Sequence, residues 1–195
     1  MNLNSALEGI LKQAGENYGP LTEECVADLL KCSTILEAGK HEILVKEGQY
    51  SDKSFYIIKG SARAYYLKDG KDISDWFAFE NDFISSVNSF FQDVPSPHYI
   101  EIMEESVLML TRKKDFLLLC DKHHCFERLV RNVVTRTMLQ LQQRIVGMQF
   151  ESARQRYENL LNVRPDIILR VPLTHIASYL GITLETLSRI RNQHK

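Results

Sequence analysis

The residue pattern predicts an α+β protein: an N-terminal antiparallel β-roll, a long helix, and a small C-terminal unit ending in a winged-helix-like helix-turn-helix. Three observations carry this. Between Thr34 and Thr111, apolar residues fall in short β-prone runs punctuated by Gly or charged turns. From about His123 to Met148 they recur every three or four residues along one narrow stripe. Beyond Pro172, two short amphipathic patterns flank Gly181.

In chain order, Leu3, Leu7, Ile10 and Leu11 are spaced for a helix, and "GENYGP" interrupts them. Thr22 is a natural N-cap for a second helix carrying Val26, Leu29 and Leu30. The runs "ILEAGKHEILVKEGQ", "SFYIIKGSARAYYLKDGKDISDWFAF", "DFISSV" and "HYIEIMEESVLMLTR" supply roughly eight strands, enough for a barrel or roll. Asp69-Gly70 marks a tight hairpin.

"KKDFLLLC" returns the chain to helix, and the long stripe follows through Phe126, Val130, Val133, Thr137, Leu141, Ile145 and Met148. Arg128, Arg131, Arg136 and Arg144 lie away from it. Such a helix either packs on its own domain or forms a dimer seam, and the heptad spacing favours the seam. Ser152 can cap a helix through Leu161, Pro165 ends it, "DIILRV" reads as a strand, and Pro172 suits the next helix's first turn. The expected units are residues 1–121, a dimerisation helix and hinge over 122–150, and a terminal unit over 151–195.

Charge divides along the same lines. Residues 1–121 hold 12 basic against 20 acidic side chains, residues 122–150 hold 5 against 1, and residues 151–195 hold 7 against 4. A basic back half points to a polyanionic partner for that part alone. The chain has no apolar run long enough for a membrane span and no secretory signal pattern at its start. Four irregularly spaced cysteines look like reduced thiols, so a cytoplasmic location is expected.

The terminal pattern is the most specific. Leu173, Ile176, Ala177 and Leu180 give one helix an apolar face, and Gly181 can take the left-handed turn. Thr183 then caps a second helix whose Leu187 and Ile190 face inward. Glu185, Ser188, Arg189 and Asn192 cluster opposite, and these groups suit major-groove base edges: Arg forks onto guanine, Glu accepts from cytosine. Thr183, Thr186, Arg191 and Lys195 lie where phosphate contacts set the register. Leu184 either touches a thymine methyl or packs locally. The expected partner is double-stranded DNA.

A β-roll, a long helix and "YLGITLETLSRIR", with "EGQ…FYIIKG" around Gly48 and Gly60, resemble the Crp/Fnr family of bacterial transcription regulators over about residues 20–195. The resemblance implies a cyclic-nucleotide-binding-like roll, a homodimer on a two-fold-related site, and contact with RNA polymerase. It also implies base reading by Glu185 and Arg189. Leu184 departs from the basic or proline residue common at its position.

The ligand segment departs further. Nucleotide-binding members carry a "GE-L" segment and an Arg-Ser/Thr pair, where this chain aligns Ser86 and Ser96-Pro97. No Lys or Arg occurs between Asn81 and Ile100. Burying a phosphate without a cation costs several kcal/mol. Weak or absent cAMP binding is therefore expected, and the pocket, lined by Ser85, Ser86, Val87, Asn88, Ser96, Pro97 and His98 with Arg63 as the substitute cation, either takes another effector or is vestigial.

No cofactor or metal is expected. The cysteines are too dispersed for an iron–sulfur cluster, and Cys120, His123, His124 and Cys125 of "CDKHHCF" spread around a helix rather than converging. No nucleophile elbow, phosphate-cradling loop or metal triad suggests an enzyme, and Glu104-Glu105 read as an ordinary turn. The alternative to a regulator is a sensing or protein-interaction module whose basic end only tethers.

Overall fold

In the computed structural model of this chain, Gly15 and residues 18–192 are described. The opening helix expected around Leu3–Leu11, and Lys195, lie outside them. Helix α1 (Glu23–Cys32) starts where Thr22 Oγ1 accepts from the Cys25 amide, the cap read from the sequence. Eight strands follow: β1 (Ser33–Ala38), β2 (Ile43–Val45), β3 (Lys53–Lys59), β4 (Ala62–Lys68), β5 (Lys71–Ala78), β6 (Phe83–Ser85), β7 (Tyr99–Ile102) and β8 (Ser106–Arg112). Short α2 (Val87–Gln92) lies between β6 and β7.

The strands form two antiparallel sheets, ordered β1-β8-β3-β6 and β2-β7-β4-β5. Alternation of side chains sorts each strand between two environments. Phe55 and Ile57 of β3 enter the roll interior with Ala62, Ala64, Ile100, Ile102 and Leu108, whereas Tyr56 faces out. Tyr56 then packs beneath helices with Cys25, Leu29, Phe90, Phe116 and Phe126. Both faces are covered, which is why "SFYII" reads as one continuous apolar run.

Gly60 turns β3 into β4 with φ of 95°, a region L side chains avoid. A Cβ there would sit 2.1 Å from Ser106 Oγ and 2.8 Å from Ser106 Cα. Its amide donates to Glu80 Oε1 at 2.8 Å.

After α3 (Lys113–Lys122), α4 runs from His124 to Phe150. A capping box of Ser152 and Gln155 opens α5 (Ala153–Val163). The segment "DIILRV", expected as a strand, instead forms the single-turn helix α6 (Ile167–Arg170). Consequently no strand follows β8 among the described residues, and the winged element expected beside the terminal helices is not formed by them. Helices α7 (Leu173–Tyr179) and α8 (Leu184–Asn192) are the last described elements, and no described helix is long and apolar enough to cross a membrane.

Only part of the expected seam faces outward. Phe126 is buried at 3% exposure, and Val130 packs on that same roll-side core. The exposed apolar stripe is Val134, Met138, Leu141, Ile145 and Met148, at steps of four, three, four and three. The roll-side core covers the N-terminal half of the predicted stripe, and only the C-terminal half is left open. Val133 and Thr137, expected in the seam, are half-buried beside this stripe.

Candidate nucleic-acid interface and effector pocket

The turn between α7 and α8 is a Schellman motif. Ile182 N donates to Ala177 O and Gly181 N to Ser178 O, each at 3.0 Å, with Gly181 at φ 67°. Thr183 then caps α8 by accepting from the Thr186 amide at 3.2 Å. Leu187 and Ile190 are buried against Ile176, Ala177, Tyr157 and Ile167. Burial of each such side chain contributes about 1.5–3 kcal/mol, which anchors the helix by one face.

The other face is polar and open. Thr183, Leu184, Glu185, Ser188, Arg189 and Asn192 are exposed, and Thr186 and Arg191 are half-buried. Arg189 Nη2 donates to Thr186 Oγ1 at 3.3 Å, so its guanidinium lies back along the helix. Hydrogen bonds from its own backbone N–H and the Thr183 hydroxyl hold the Glu185 carboxyl below the usual range.

The pocket residues divide. Ser86 Oγ donates to Ser96 Oγ at 2.8 Å, and Ser96 Oγ donates to the His98 carbonyl at 2.7 Å, all three residues being buried. Ser85 and Pro97 are half-buried nearby, while Val87 and Asn88 point outward from α2. His98 stands edge-on to Tyr66, and burial pushes its imidazole pKa down. An anion placed at Ser86 and Ser96 would meet two hydroxyls already bonded to each other.

Arg63 is not among them. Its neighbours Ala62 and Ala64 enter the roll, so Arg63 leaves through the opposite face. There it forks onto Asp72 (2.7 and 2.7 Å) and Glu101 (3.0 and 2.8 Å), and its Nη1 donates to Ser74 Oγ and His175 Nδ1. Two carboxylates already satisfy this cation, which removes it as the substitute phosphate partner.

This contact belongs to a seam that sequence reasoning missed. Ser178 Oγ accepts from the Ser74 amide and donates to the Asp72 carbonyl. Arg170 forks onto Glu80 (2.8 and 2.8 Å), bonds Glu104 at 2.6 Å, and donates to Gly60 O at 3.1 Å. Glu104 also accepts from Ser61 Oγ at 2.6 Å, so it is a docking carboxylate rather than part of an ordinary turn. Phe77, Phe79 and Met103 of the roll add an apolar contact with the terminal helices. Pairs this distant in the chain leave no local signal.

The residues of "CDKHHCF" do not converge on one point. His123 Nε2 meets Asp28 Oδ2 at 3.0 Å beside Glu24, and the Lys122 ammonium already sits on both carboxylates.

One buried imidazole, His98, and one half-buried imidazole, His175, predict acid sensitivity. Burial pushes the His175 pKa down, and the Arg63 charge reinforces that; burial does the same to His98. Below about pH 6.5 the unfolded chain takes up protons that the folded one refuses, so stability falls by up to about 1.4 kcal/mol per pH unit per group until the folded pKa is passed. Stability is fully present above that pH. Urea midpoints at pH 7.5 and 5.5 should differ for the wild type and converge for H98Q/H175Q; an unchanged difference in the double variant refutes the assignment.

Residues 35–123 match the cyclic nucleotide-binding domain family. A comparison with curated proteins finds no match. Among solved structures, FixK2 from Bradyrhizobium japonicum is similar with a TM-score of 0.71 at 19% identity, covering 83% of each chain. A CooA mutant from Carboxydothermus hydrogenoformans gives 0.69 at 21%, over 85% of this chain and 77% of that one. CLP, a c-di-GMP-responsive global regulator of Xanthomonas campestris, gives 0.67 at 12%, over 88% and 91%. Roll, long helix and terminal helices together share the fold of these three structures.

Proposed function

We propose that a chain with this Crp/Fnr-like fold is a DNA-binding transcription regulator, acting as a homodimer on a palindromic site and not responsive to cAMP. One observation carries the reading: α8 is fixed by Leu187 and Ile190 while Glu185, Ser188, Arg189 and Asn192 face away from the body of the protein. Helices α7 and α8 act as the helix-turn-helix, with α8 in the major groove. Glu185, Ser188, Arg189 and Asn192 read base edges, Leu184 meets a thymine methyl, and Thr183, Thr186 and Arg191 touch phosphates. The outward stripe of α4 pairs two copies, and RNA polymerase is the further partner that the resemblance implies. Cytoplasmic location follows from this role.

The Ser86–Ser96 hydrogen bond supports a roll that does not take cyclic nucleotides, because it joins the two positions aligned with the nucleotide-binding Glu and Arg. Binding of the full chain to a recovered palindromic duplex should weaken steeply with salt and be unchanged by cAMP or cGMP. Arg189→Ala should lose about 1–3 kcal/mol at one base pair and relax preference there, while Arg191→Ala should weaken all duplexes evenly and lower the salt slope by about one. Equal binding of every duplex by wild type and both variants would favour the tethering module instead. Micromolar cAMP or cGMP binding by calorimetry would refute the reading of the pocket.

A further inference from the structure

Two cysteines far apart in the chain meet where α1 crosses the start of α4. Thr22 Oγ1, which accepts from the Cys25 amide at 3.3 Å, lies 3.7 Å from Cys125 Sγ. Cys25 lies in the buried cluster of side chains against which Cys125 packs. Cys25 is fully buried and Cys125 is half-buried, so only the second is open to a reagent. Cys32 is engaged elsewhere, donating to Leu29 O at 3.4 Å.

We propose that Cys25 and Cys125 form a peroxide-responsive dithiol that closes as a disulfide between α1 and the N-terminus of α4.

The two environments divide the labour. Burial alone would raise the Cys125 pKa, but hydrogen bonds from Thr22, Cys25 and the Phe126 amide outweigh it and hold the thiol below its ordinary value. Burial pushes Cys25 up to about 12. Cys125 is therefore the attacking thiolate and Cys25 the resolving thiol. The Cys125 sulfur attacks one oxygen of a hydroperoxide; the O–O bond breaks, and the departing oxygen leaves as water or alcohol after taking a proton. The resulting Cys125 sulfenic acid is attacked by the Cys25 sulfur. An S–S bond forms, the S–O bond breaks, and that oxygen leaves as water with the Cys25 proton. Two thiols lose two electrons and two protons, and the peroxide is reduced by the same two electrons.

The test treats the reduced full-length chain with hydrogen peroxide, blocks remaining thiols by alkylation, and maps peptides without reductant. One intrachain Cys25–Cys125 peptide pair, two hydrogens lighter than its parts and separated by dithiothreitol, is expected in the wild type, in C32S and in C120S. In C25S, dimedone should trap a sulfenic acid on Cys125. In T22V, which removes the hydroxyl beside Cys125, closure should slow about tenfold. The wild-type map decides the matter even where a cysteine variant folds poorly. Recovery of both residues as alkylated thiols after peroxide, or linkage of either to Cys32, to Cys120 or to a second chain, overturns the proposal.

Discussion

Gly60→Ala is expected to destabilise the protein by about 2–5 kcal/mol: about 1–2 kcal/mol for an L residue in left-handed backbone and about 1–3 kcal/mol for overpacking. The added methyl would meet both the Cα and the side chain of Ser106, and Ser106 cannot simply withdraw. Its Oγ accepts from the Ser61 amide and donates to Glu104 O. The displaced turn also carries the carbonyl that receives Arg170. Gly48→Ala separates the two contributions, since Gly48 has φ of 79° and nothing within 4 Å of the added carbon. Urea denaturation should show a small loss for Gly48→Ala and a several-fold larger one for Gly60→Ala. Equal losses would mean that the Ser106 contact costs nothing.

Met138→Asp with Ile145→Asp is expected to convert the proposed dimer to monomers, raising the dissociation constant at least about a hundredfold, or about 2.7 kcal/mol. Both side chains are 59% exposed in the single chain, so neither change removes an intramolecular core contact. In a pair, each protomer would bury two carboxylates in an apolar seam. Sedimentation equilibrium should show the shift while the thermal midpoint of the dissociated chain stays within a few degrees. A dimer that survives both substitutions would place the interface elsewhere.

Much of the fold was legible because its signals are local. Alternation, the Asp69-Gly70 hairpin, and the caps at Thr22, Ser152 and Thr183 each depend on a few adjacent residues. The terminal helices were legible for the same reason, since a turn glycine and a capping threonine specify the Schellman turn. "DIILRV" misled because so short a run of apolar residues suits a strand or a helical turn equally, and the packing of Ile167 with Tyr157 and Leu187 decides between them. Arg63 was assigned to the wrong side of its sheet although "ARA" carried the correction: two alanines inside require the arginine outside. The stripe on α4 was drawn through Phe126 because apolar spacing does not say which body covers it. Nothing local announced the Arg170–Glu80–Glu104 cluster.

That cluster, with Arg63, His175 and Ser178, ties the terminal helices to the roll at several points. In a two-fold pair built on α4, the gap between the two α8 helices then becomes a fixed length, like the jaws of a gauge. A duplex repeats its groove about every 10–10.5 base pairs, so one inserted pair between half-sites rotates the second by about 35°. The proposed regulator, clamped in this way, should tolerate little change in spacer length, whatever bases the spacer contains.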